Sequence, residues 1–123
     1  MTKTILLIED NEQNRYLATF LLEKHGYTVL SAADGPMGIE LAGTILPQLI
    51  LLDIQLPTMD GYAVARALRD NPTLKSTPIV AVTSYAMPGD REKTIAAGCN
   101  GYIEKPINPE TFVFDVERHL VED

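Results

Sequence analysis

The stretch QLILLDIQLPTMDG, residues 48–61, runs through apolar side chains into a lone carboxylate, Asp53, and then into a Pro, Asp and Gly turn signal. A strand with one wet face alternates apolar and polar residues, whereas a strand covered on both faces by helices is apolar throughout. LILL therefore reads as an inner strand of a parallel sheet, with Asp53 at its carboxyl end. TILLI (4–8) and PIVAVT (78–83) carry the same nearly continuous pattern, and YTVLS (27–31) and NGYIE (100–104) are weaker runs of similar length.

Between these runs the period shifts toward 3.6. Leu17, Phe20, Leu21 and Lys24 form one stripe, with Gly26 as the stop; Phe112, Val113, Val116 and Leu120 form another, reaching close to the end of the chain. Pro36 after Asp34-Gly35, Asp60 before Val64 and Leu68, and Asn108-Pro109 mark helix starts, and Gly98 ends a helix that carries Ile95 and Ala96. Five strands alternating with five helices make an α/β chain, (βα)5, with parallel strands, right-handed crossovers and helices on both faces. In such open sheets the ligand site lies beyond the carboxyl ends of the strands, where the strand order reverses. Glu9, Asp10, Asp53, Thr83 and Lys105 all stand at such ends and should meet on one edge.

The chain of 123 residues fits one domain, taken as 1–123, with 46% hydrophobic residues and no linker-like composition. A formal charge of -7 without a Lys/Arg cluster argues against a nucleic-acid surface. No apolar run approaches the length of a membrane span and Met1-Thr2-Lys3 carries no signal-peptide pattern, so a cytoplasmic, membrane-free protein is expected. Cys99 is the single cysteine and reads as a buried hydrophobe; His25 and His119 lack partners at ligand spacing.

Taken singly, each residue of the edge has an ordinary explanation: acids at a helix start, a turn Asp, a strand Thr, a solvated Lys. Together they bring three carboxylates within a few ångströms, and like charges that close disfavour full ionisation. A hard divalent cation removes the conflict. Mg²⁺ accepts a few carboxylate oxygens, keeps waters and completes its shell with a phosphate oxygen. Lys105 supplies a second positive charge for a phosphate, which leaves Asp53 as a nucleophile able to form an acyl phosphate.

At this point the sequence resembles a known family along essentially its whole length. LLIEDN, LILLDIQLPTMDG, IVAVTSYA and GYIEKP are similar to the receiver domains of two-component response regulators, in particular the chemotaxis-regulator-like ones. The resemblance implies a doubly wound, flavodoxin-like five-stranded parallel sheet in the order 2-1-3-4-5. The switch-point rule was itself framed on relatives of this fold, so agreement with it is not independent support.

By the same resemblance, Asp53 accepts a phosphoryl group from a phosphohistidine on a sensor histidine kinase or a histidine phosphotransfer protein. Asp10 ligates Mg²⁺, with Mn²⁺ as a substitute, together with Asp53 and the backbone carbonyl of Gln55; Glu9, where Asp is also frequent, acts through water. Thr83 and Lys105 hold phosphoryl oxygens, Thr83 and Tyr102 switch together, and Gln55 and Tyr85 set the lifetime of the acyl phosphate. The Lys105-Pro106 bond is expected to be cis. Such a protein is no enzyme beyond its own phosphorylation and dephosphorylation, and it signals to a downstream protein target through its fourth helix, fifth strand and fifth helix. The start at Met1 and the stop at Asp123 suggest a free-standing receiver. A phosphorelay intermediate, or a receiver excised from a larger regulator or hybrid kinase, is the alternative.

Two rivals are weaker. An FMN electron carrier would share the fold, but the loop after the first strand reads EDNEQN, and an acidic loop repels the FMN phosphate. A hydrolase with an aspartyl-phosphate intermediate usually places a second acid two residues after its nucleophile, and position 55 is Gln.

Overall fold

The computed structural model describes residues 3–56, 59–84 and 89–120. Its strands are β1 (Thr4–Ile8), β2 (Thr28–Ala32), β3 (Leu49–Asp53), β4 (Ile79–Thr83) and β5 (Gly101–Glu104). They alternate with α1 (Glu12–Lys24), α2 (Gly35–Ile45), α3 (Gly61–Arg69), α4 (Asp90–Ala96) and α5 (Phe112–Glu117). A 3-10 turn, Pro72–Leu74, precedes β4. Every pairing is parallel and the order is β2-β1-β3-β4-β5, as expected. After β2 the chain returns to the far side of β1, so the order reverses between β1 and β3 and opens a cleft beyond their carboxyl ends.

Two-residue periodicity divides the apolar strands between two cores. Leu6, Ile8, Ile50, Leu52, Ile79 and Ala81 pack with Ala42 of α2 and Val64, Ala65 and Leu68 of α3. Ile5, Leu7, Leu49, Leu51, Val80 and Val82 pack with Ala18 and Leu22 of α1 and Phe112, Val113 and Val116 of α5. β3 and β4 are buried at every residue, which is why their sequences do not alternate. Each large side chain so buried contributes about 1.5–3 kcal/mol relative to exposure. Cys99 lies in the first core, 5% exposed, and burial pushes its thiol up to about 11, so it behaves as a small apolar residue.

Two of the expected helical details differ. On α1 the inward face is Ala18 and Leu22 with Leu21 at its margin, while Phe20 is 50% exposed and Lys24 is at the surface. The spacing was right and the phase was off by about one residue. Phe20 stacks on Tyr16 at 6.4 Å between ring centroids, and the Lys24 ammonium lies 6.0 Å over its ring. That solvent-side stack imitates an apolar stripe in the sequence. α5 starts at Phe112 rather than after Asn108, because the Asn108 side chain accepts from Glu110 N–H at 3.0 Å and forms a turn of its own. It ends at Glu117, earlier than the Leu120 end of the stripe, although Leu120 still packs on the second core.

Gly61 ties the fold to the cleft. It opens α3 directly under the end of β3, donating its N–H to Ile54 O at 3.0 Å. A Cβ there would lie 2.4 Å from Ile54 Cα and 2.8 Å from Asp53 O, and both are backbone atoms that cannot swing aside. Gly61→Ala is therefore expected to cost about 1–3 kcal/mol. A urea unfolding midpoint equal to that of the unchanged protein would show that the loop yields freely.

Candidate functional site

Alternation continues just past the strand ends. Glu9 follows Ile5 and Leu7, Asp53 follows Leu49 and Leu51, and Lys105 follows Ile103, so all three point to the α1/α5 side of the sheet. The geometry agrees. Lys105 Nζ lies 3.1 Å from Glu9 Oε1 and 3.3 Å from Asp53 Oδ2, and the two carboxylate side chains are only 3% and 2% exposed. Glu9, Asp10 and Asp53 each offer a carboxylate oxygen within 4.8 Å of the others, Asp10 from the exposed rim.

Backbone donors fix these carboxylates. Gln55 N–H donates to Asp53 Oδ1 at 2.9 Å, so the strand's own turn sets the orientation of the Asp53 carboxylate. Asn11 N–H donates to Glu9 Oε2 at 3.2 Å, and Asn11 then caps α1 through its side chain. Arg15, one turn into α1, donates to the carbonyls of Glu9 at 2.9 Å and Asp10 at 3.3 Å and pins the acidic loop. Nothing in the sequence singled out Arg15; its position in the first turn after the acid pair was the only available signal.

Charge balance in the cleft is unfavourable without a cation. Three carboxylates face one ammonium, and the Glu9 carboxyl is pushed up to about 7, first by burial and then by its hydrogen bond with, and repulsion from, Asp53, with Lys105 opposing. An all-oxygen, acidic donor set with one open side suits a hard divalent ion such as magnesium.

Thr83 ends β4 beside Asp53, is 2% exposed, and its carbonyl accepts from Lys105 N–H at 2.9 Å. The Lys105-Pro106 bond is cis. Tyr102 lies on β5 between two surface grooves, one shared with Arg91 and Ile95 of α4, the other with Asn108, Thr111 and Asp115 on the α5 side. Its hydroxyl pKa is raised, mainly by burial and then by Glu104 and Asp90. Gln55 is half-buried at the mouth of the cleft, with its side-chain carbonyl on Ser84. Tyr85 lies outside the described residues.

The edge thus gathers Glu9, Asp10, Asp53, Thr83 and Lys105 as the strand reading required, and it adds Arg15 and Ser84. Comparison with known proteins points the same way. The polar-differentiation response regulator DivK of Brucella ovis is 40% identical over 120 residues, 98% of each chain. Chemotaxis protein CheY4 of Vibrio cholerae superposes with a TM-score of 0.93 at 30% identity, covering 98% of this chain and all of that one. The receiver domain of a sensor histidine kinase from Pseudomonas aeruginosa PAO1, solved with a magnesium ion coordinated in its active site cleft, has a TM-score of 0.88 at 34% identity, over 97% of this chain and 98% of that one. The family model for the response regulator receiver domain matches residues 5–117, and with the fold and the acidic cleft in agreement, the chain belongs to that family.

Proposed function

We propose that Asp53 is the phosphoacceptor of a signalling switch charged by a phosphohistidine of a sensor kinase or phosphotransfer protein. Receiver domains interact both with such donors and with downstream targets. The observation that carries the assignment is the pairing of a buried Asp53 with Lys105 at 3.3 Å inside a three-carboxylate cleft. Among the described residues no helix is long and apolar enough to cross a membrane.

In the transfer an Asp53 oxygen forms a bond to phosphorus as the P–N bond to the donor imidazole breaks, and the imidazole leaves with the electron pair. Lys105 beside Oδ2 and Gln55 N–H on Oδ1 orient the Asp53 side chain for attack. Asp10, Asp53 and the Gln55 backbone carbonyl would hold Mg²⁺, or Mn²⁺ in its place, with Glu9 reaching it through water. When bound, the ion neutralises charge on the transferring group. Lys105 then exchanges a carboxylate for a phosphoryl oxygen, and the Thr83 hydroxyl donates to another.

Phosphorylation adds roughly -1.5 to -2 charge and strong acceptors at Asp53. States that bring Thr83 and Lys105 inward gain population by as much as they hold that charge more tightly. Because β5 carries Tyr102 between α4 and α5 and leads directly to Lys105, the α4-β5-α5 face is where a target would sense the change. The lifetime of the acyl phosphate would be set by Gln55, at the mouth of the cleft, and by Tyr85.

The test is labelling with a small phosphodonor and Mg²⁺, with the modified residue located by mass spectrometry. Modification at Asp53 is expected; label on any other residue refutes the assignment. A phosphorelay role has one support, the likeness to a receiver carried by a sensor histidine kinase. Transfer of the label from Asp53 to a histidine phosphotransfer protein, faster than its loss to water, would favour that role.

A further inference from the structure

One contact at the cleft is left unused by this mechanism. Gln55 Oε1 accepts two bonds from Ser84, from the hydroxyl at 2.5 Å and from the backbone N–H at 3.2 Å. The N–H can only donate, so the atom facing it is the carboxamide oxygen rather than its nitrogen. The same Gln55 donates its backbone N–H to Asp53 Oδ1. One residue therefore spans from the acceptor carboxylate to the head of β4, joining the loop after β3 to the loop after β4.

Registry makes the span matter. Asp53 pairs with Val82 across neighbouring parallel strands about 4.8 Å apart, so Ser84 lies just beyond the level of the Asp53 carboxylate. A phosphoryl group on Asp53 projects into that region with oxygens that are stronger acceptors than a neutral amide.

We propose that Gln55 and Ser84 form an autoinhibitory latch: in the unphosphorylated protein the Gln55 carboxamide oxygen occupies the Ser84 N–H that a phosphoryl oxygen on Asp53 would take. Ser84 is a positioning residue in this device. Its hydroxyl holds the carboxamide in place, and charging of Asp53 must displace that carboxamide to recruit the amide. The latch rests on the assignment of Asp53 as acceptor and adds to it a contact that biases the resting state.

Calorimetric titration of the full chain with beryllium fluoride in the presence of Mg²⁺ tests the latch. The adduct coordinates a carboxylate oxygen and presents fluorines where phosphoryl oxygens would lie. Gln55→Ala and Ser84→Ala should each tighten the adduct about 2- to 10-fold, the worth of one hydrogen bond no longer displaced. Ser84→Thr, which keeps the hydroxyl, should match the unchanged protein, and the double variant should be no tighter than either single one. Weaker or unchanged binding in Ser84→Ala, or effects that add in the double variant, overturns the latch alone. An unchanged protein that fails to bind the adduct at all overturns both the latch and the Asp53 assignment.

Discussion

Lys105→Ala costs the metal-free protein about 3–5 kcal/mol at pH 8 and distinctly less at pH 5, the loss expected when one partner leaves a buried ion pair. Lys105 is the cation between Glu9 and Asp53, at 3.1 and 3.3 Å, and both carboxylates are almost wholly buried. The pH dependence follows from Glu9, whose ordinary value of 4.5 is pushed up to about 7. Between those values the folded chain keeps a proton that the unfolded chain has released, so metal-free stability falls as pH rises through the window. Without Lys105 nothing opposes the upward shift from burial and from Asp53, and the window extends to higher pH. At pH 5 Glu9 is neutral with or without the lysine, and only the Asp53 pairing is lost. Urea unfolding in EDTA at the two pH values measures the difference, and Lys105→Met keeps most of the apolar stem without the charge. A loss that is equal at both pH values, or that methionine restores, would mean that the lysine acts through packing.

What the sequence revealed depended on how much of the physics was local. LILLD and IVAVT declared themselves because a strand buried on both faces leaves no room for polar residues, and the turn and cap residues Asp34, Asp60 and Gly98 act within a few positions of themselves. Once parallel strands were placed, the carboxyl-end rule collected Glu9, Asp53, Thr83 and Lys105 without knowledge of any contact. The family resemblance then supplied the strand order, which composition and spacing alone could not, and the roles proposed for these residues. Phase on α1 was lost because Tyr16, Phe20 and Lys24 stabilise one another in solvent, a side-chain arrangement that hydrophobic periodicity cannot tell from burial. Arg15 and the Gln55-Ser84 pair were invisible for a different reason. Their partners are backbone groups, or side chains brought close only by the docking of separate loops, and a polar residue in a loop carries no sign of which donor it will meet.

Asp53→Asn should reduce phosphodonor labelling to nothing detectable while making the metal-free fold more stable, and the pairing of those two outcomes separates a site built for charge from one built for rigidity. The carboxamide is nearly isosteric, so its oxygen can keep the Gln55 N–H bond now made at 2.9 Å and the turn after β3 stays in place. A neutral amide does not attack phosphorus as a carboxylate does, hence the loss of label. For the fold, the substitution leaves two carboxylates facing one ammonium instead of three. Glu9 loses its hydrogen bond with, and repulsion from, Asp53, so its carboxyl falls back toward the ordinary value, with burial still holding it somewhat above. The thermal midpoint in EDTA near pH 8 should rise by a few degrees, as a gain of about 1 kcal/mol gives in a domain of this size. Millimolar magnesium should then stabilise the variant less than it stabilises the unchanged protein, because an ion adds stability only through its affinity for the folded cleft. Full labelling of the variant would move the acceptor to another side chain. A lowered midpoint in EDTA would mean that Asp53 is held mainly by favourable pairing with Lys105, and that crowding of like charges does not govern the cleft.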